Sequence, residues 1–277
     1  KTDRIPFSES RLKMGRFHFT LSLMRISPVK IILVLGVLIV VASTSPARAD
    51  YSRLSIPQLK YEGGRHNPHL TALGSLLGQV ARRTSIEVKR ESLQVRLSDP
   101  DLYRYPFLYM AGDQEFEPFS SEDLRRLRDY LNFGGLLLID DNTSKINSKF
   151  DGSVRNMIAS LFPQVPLQKV PRDHSIFRSF YLINRVTGRT LVNPYLEGIN
   201  VKGRTVLVYS TNDFGGAWAR DKLGHWAHDI IAGGERQRQL SIRLGVNIIM
   251  YALTLDYKKD MVHLPIILER LRRYHSP

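Results

Sequence analysis

Apolar residues along this chain fall into short unbroken runs separated by stretches of helical period, and that alternation predicts a parallel α/β sheet covered on both faces. The clearest unit spans 105–141. Residues 105–111 (YPFLYMA) form an apolar run closed by Gly112 and Asp113. Ser120 then suits a helix N-cap, with Glu122 and Asp123 in the first turn and Leu124, Leu127 and Leu131 on one face. Gly134 and Gly135 allow the chain to leave that helix. A second apolar run, 136–139, delivers Asp140 and Asp141 at its carboxyl end.

Upstream, 54–61 reads as a strand, and Glu62-Gly63-Gly64-Arg65 as a tight loop. Pro68 opens a helix carrying Leu70, Leu73, Leu76, Leu77 and Val80, with Arg82 and Arg83 in its last turn. Short strands are expected over 86–89 and 93–97. Downstream of the unit, Asp151 is placed to cap a helix through Leu161, which Pro163 and Pro166 stop. Residues 173–177 form a turn. Residues 195–200 and 205–210, joined around Lys202-Gly203, read as a hairpin or as an extended entry to a core strand. Thr211-Asn212-Asp213 make a third polar strand end, followed by Gly215-Gly216 as a flexible link. A helix over 240–255 is apolar almost all round, except for Arg243 and Asn247, a pair expected to support the loop at Asp213. A last basic segment starts near Pro265. No internal repeat is visible.

Composition narrows the chemistry. The chain has 277 residues, 43% apolar and 24% charged, enough for one domain with a real core. It has no cysteine, which excludes disulfides, thiolate metal sites and cysteine nucleophiles. Residues 24–49 have the layout of a secretory signal: Arg25 and Lys30, an apolar run over 31–42, then Ala47-Arg48-Ala49. The apolar run is too short for a span of about 20 residues. Cleavage would expose Asp50, so 50–277 is expected to be the single mature domain, periplasmic or extracytoplasmic, or membrane-anchored if uncleaved. Residues 1–23 read as an upstream extension from a misassigned start, with Met24 as the true one. The formal charge of +14 falls to +8 from Asp50 onward, where 32 Lys and Arg face 24 Asp and Glu. A basic exported surface allows peripheral contact with anionic lipid, whereas no nucleic-acid module is present.

Open α/β sheets bind ligands beyond the carboxyl ends of their strands. Gly112, Asp113, Asp140, Asp141, Asn212 and Asp213 are expected there, with Asp173 and His174 from the turn. Asp113, Asp140, Asp141, His174 and Asp213 could hold a divalent cation or act as an acid and base. Aspartates are also common turn and cap residues, which leaves an ordinary loop role open. His225 and His228 share a helical spacing but lack a third ligand. Trp218 and Trp226 could form a sugar or peptide platform. No Gly-x-Ser-x-Gly elbow, Walker loop or Gly-x-Gly-x-x-Gly occurs.

Several segments together resemble a known family, the bacterial domain of unknown function 4159. They are Tyr61-Glu62-Gly63-Gly64, Tyr105-Pro106-Phe107 through Gly112, Gly134-Gly135-Leu136 through Asp141, Phe150-Asp151, Asp173 through Phe177, and Gly245 through Tyr251. The resemblance implies a mostly parallel sheet flanked by helices on both faces, flavodoxin-like or class I glutamine amidotransferase-like. It does not imply glutamine hydrolysis. The turn after Met110 offers Gly112-Asp113-Gln114 where that reaction needs a cysteine. The family's apparent association with membrane von Willebrand A proteins and a MoxR-type ATPase points to envelope proteins as partners. The expectation is a non-catalytic binding domain of the cell envelope with no cofactor; the alternative is a divalent-metal-assisted hydrolase of an envelope substrate.

Overall fold

The computed structural model describes residues 53–274, with side chains over 53–254. The signal-like segment and the extension before it lie outside the described residues.

Within the described residues one sheet has seven strands. They are β1 (Gln58–Leu59), β2 (Gln94–Val95), β3 (Phe107–Gly112), β4 (Leu136–Asp141), β5 (Gln168–Lys169), β6 (Glu197–Val201) and β7 (Arg204–Ser210). Their spatial order is β2-β1-β3-β4-β7-β6-β5. The first five run parallel, and β6 is antiparallel to both β7 and β5. The parallel part has the flavodoxin-like order, with the chain reversing direction across the sheet between β1 and β3.

Strand alternation sorts the core into two layers. Leu108, Met110, Leu137, Ile139 and Leu207 face α2 (Ser121–Asn132) and α3 (Lys149–Leu161), meeting Leu127, Leu131, Val154 and Ile158. Phe107, Tyr109, Leu138 and Val208 face the other way, toward α1 (Ala72–Arg83), α4 (Phe214–Trp218) and α5 (Gly234–Tyr274). Both faces being covered explains why β3 and β4 are buried at every position.

Local chemistry sets the element ends. Ser120 Oγ accepts from Asp123 N at 3.1 Å, the expected cap of α2. Lys202 and Gly203 have φ of 53° and 77°, which makes the β6–β7 connection a two-residue hairpin of the primed type. At α3 the cap is Ser148 rather than Asp151: Ser148 Oγ accepts from Asp151 N at 2.9 Å. The Asp151 carboxylate is turned instead to the Tyr209 hydroxyl at 2.8 Å and Arg155 Nε at 3.0 Å. The first strand is shorter than expected, since Pro57 has no N–H to give, although its carbonyl accepts from Tyr109 N at 3.1 Å. Residues 86–89 contribute one bridge, Leu54 to Val88, and no strand. The last helix also departs from expectation: it starts at Gly234 and continues through Pro265 instead of restarting there.

Candidate functional site

Three strand ends deliver carboxylates to the carboxyl edge of the sheet, and their geometry separates them. Asp140 and Asp141 are adjacent on β4, so the pleat sends them to opposite faces. Asp140 is fully buried on the α4 side. Its Oδ1 accepts from Phe214 N at 2.9 Å, and its Oδ2 from Gly215 N, the Tyr109 hydroxyl and Asn142 Nδ2 at 2.7, 2.7 and 2.8 Å. Burial and the neighbouring Asp213 charge push its carboxyl up to about 6, against the opposing pull of those hydrogen bonds. Asp141, on the other face, accepts from Thr143 N at 2.8 Å and the Ser148 hydroxyl at 2.6 Å, and burial raises it as well.

Asp213, beyond β7, sits in the left-handed region at φ 57°, a conformation aspartate tolerates better than most residues. Its Oδ1 accepts from Gly216 N at 2.8 Å and Asn142 Nδ2 at 3.0 Å, and meets His69 Nε2 at 3.1 Å. Arg189 Nε donates to Oδ2. Burial works to raise this carboxyl, but His69 and Arg189 outweigh it and hold Asp213 below its ordinary value. Asn142 thus joins two carboxylates through one amide nitrogen, while its Oδ1 has no donor among the described residues.

Gly215 and Gly216 are not a flexible link. Both are buried in α4, where a Cβ on Gly215 would crowd Tyr109 and His69, and one on Gly216 would overlap Asp213 and Arg189. Their size lets the chain close over the carboxylates.

The Asp213 contact continues outward. His228 Nε2 lies 3.1 Å from His69 Nδ1, forming a carboxylate–imidazole–imidazole chain. A carboxylate only accepts, so His69 presents Nε2–H to Asp213. Burial and His69 keep His228 below its usual value. Among the described residues, no hydroxyl is hydrogen-bonded to either ring.

The other expected residues lie elsewhere. Asp113 follows β3 and pairs with Arg65, Nε to Oδ1 at 3.1 Å, across the point where strand order reverses. Gly112 is packed against Phe150 and Tyr61 and offers no open loop. Asn212 is fully buried and clamps the 192–193 backbone, accepting from Val192 N at 2.8 Å and Asn193 N at 2.9 Å. His174 does not join the carboxylates. Its Nδ1 accepts from Ile176 N at 3.1 Å, and its Nε2 meets Thr205 Oγ1 at 3.0 Å. Thr205 and Ser210 stand at opposite ends of β7, about 16 Å apart at the usual rise per residue. Asp173, exposed beside His174, takes Arg178 on its backbone oxygen.

Further expectations change too. Asn247 holds Tyr181 N at 2.7 Å and the Ile176 and Tyr181 carbonyls rather than the Asp213 loop, and Arg243 is exposed over the Tyr181 ring. Trp218 is buried and stacked on Phe214, while Trp226 is covered by Arg220 and Arg238 at 3.7 and 4.5 Å, so neither is an open platform. His225 binds Asp221 while His228 binds His69. His69, Tyr109 and Arg189 were not singled out by the sequence. Only the position of His69, just past a strand-end loop, hinted at a role.

Among the described residues, no group of three or more His, Asp or Glu is placed to hold a metal ion. Comparison with known families gives a match over residues 55–253 to the one described as "Domain of unknown function (DUF4159)". No curated protein matches the chain.

Proposed function

The chain belongs to the DUF4159 family, and from that premise we propose that it is an exported, non-catalytic domain that binds an envelope protein on the rim of its strand carboxyl ends. The observation carrying this reading is that Asp140, Asp141 and Asp213 are committed inward, bracing the loops around them. What the rim offers outward is different. Thr71 Oγ1 and Arg220 N are 2.9 Å apart, and His69 meets His228, so the loops after β1 and after α4 are stitched together. On these stitched loops Leu70 and Leu223 are 70% and 82% exposed. A cavity of about 340 Å3 opens beside them, lined in part by His69, Leu70, Arg90 and Arg220. Rigid loops carrying exposed leucines next to cationic groups suit a protein partner better than a reaction. Export rests on the signal layout over 24–49.

The metal-assisted hydrolase would need Asp113, Asp141 and His174 beside Asp140, and they point to three separate places. The binding reading is tested by affinity capture from envelope extracts with the wild type and with Leu70→Glu/Leu223→Glu. A co-purifying protein lost in the variant, at unchanged melting temperature, is expected. Identical capture by both would overturn the rim as the docking face.

A further inference from the structure

Away from the rim, residues 182–191 and the first turns of α5 enclose a groove of about 1030 Å3. Its lining includes Leu182, Arg185, Leu191, Arg236, Leu240 and Arg243, and no Asp or Glu. Arg236, Leu240 and Arg243 recur at helical spacing and so share one face of α5. Leu182 is 89% exposed and Leu191 46%. Several arginines elsewhere meet a carboxylate, as Arg125, Arg126, Arg155, Arg189 and Arg238 do, while Arg128 and Arg220 are taken up by backbone carbonyls. Among the described residues, Arg185, Arg236 and Arg243 have no such partner. An adjoining cavity of about 510 Å3 shares Arg185, adds Lys169 and Arg172, and likewise has no acidic lining.

We infer that this groove docks an acidic segment of a partner protein that places an apolar side chain among the leucines and carboxylates against the three guanidinium groups. Guanidinium forks pair with carboxylates in two parallel hydrogen bonds, and unmatched cations in a concave wall attract an opposite charge. A second copy of this chain is a poor occupant, since its net charge of +8 from Asp50 onward has the same sign. A bilayer is flat, whereas these leucines and arginines line a concavity. The groove is distinct from the rim: apart from Gly233, at the far end of the loop after α4, its lining residues belong to neither rim loop.

The probe is a random dodecapeptide display library, panned against the full chain and against Arg236→Glu/Arg243→Glu, with Arg185→Glu as a second variant. Wild-type selection is expected to enrich peptides carrying several Asp or Glu around an apolar residue. A synthetic copy should bind at least tenfold more weakly to either reversed variant, while Arg236→Lys/Arg243→Lys retains most of the affinity and Leu70→Glu/Leu223→Glu all of it. An empty selection, peptides without acids, or affinity unchanged by both reversals would overturn the proposal. So would arginine-dependent binding to phosphatidylglycerol vesicles that the peptide fails to displace.

Discussion

His69 Nε2 stands 3.1 Å from Asp213 Oδ1, tying the loop after β1 to the loop after β7 across 144 positions of sequence. Arg189 reaches the other oxygen of the same carboxylate and Ser144 Oγ at 2.8 Å, so one buried charge organises three loops at the carboxyl edge of the sheet.

Replacing Asp213 with Asn keeps a side chain that tolerates the left-handed backbone but removes the charge facing His69 and Arg189. A buried pair broken on one side costs about 3–5 kcal/mol. Urea unfolding of Asp213→Asn should show a loss of that order. Arg189→Met in the Asp213→Asn background should cost less than it does in the wild type, the non-additivity expected of a shared contact.

Asp140 behaves in the opposite sense. Its folded value, about 6, lies above the ordinary 3.8. Between those pH values the native state holds a proton that the unfolded chain has released, so this group's contribution to stability falls as pH rises through the window. Asp140→Asn removes that dependence. The amide also turns a donor toward the Phe214 or Gly215 N–H, a mismatch of about 2 kcal/mol. Urea midpoints measured from pH 4 to pH 7 should therefore show the variant less stable throughout, with the gap to wild type narrowing as pH rises.

Burial lowers His174 below its ordinary 6.5, and its Nδ1 accepts a backbone N–H, which requires the neutral ring. The unfolded chain binds the proton first as pH falls below 6.5, so stability from this group is present above that pH and lost on acidification. In His174→Asn, whose side chain can still accept the N–H, the drop between pH 7 and pH 5 should be shallower than in wild type. Capture at the rim should be unaffected, since His174 lies at the far end of β7.

Gly112→Ala tests packing at the end of β3. The new methyl would overlap the Phe150 ring and the Tyr61 hydroxyl, so a loss of about 1–3 kcal/mol is expected in thermal or urea unfolding. A change below a few tenths would mean that the Phe150 ring gives way freely.

The layered fold could be read along the chain because its determinants are local. A strand buried on both faces must be an unbroken apolar run, as at 107–112 and 136–139, and Ser120 marks its helix within one turn. Where two local signals competed, the reading slipped: Ser148 caps α3 while Asp151 serves Tyr209, a partner 58 residues away.

That Asp140, Asp141 and Asp213 would crown a parallel sheet was legible along the chain, since strand direction and length decide which residues emerge at the strand ends. What they do there follows from long-range packing. The crossovers bring His69 and Arg189 to Asp213 while leaving His174 at the opposite edge. Such pairings depend on which loops meet after the sheet is assembled, and no short-range pattern of apolar and polar residues carries that information.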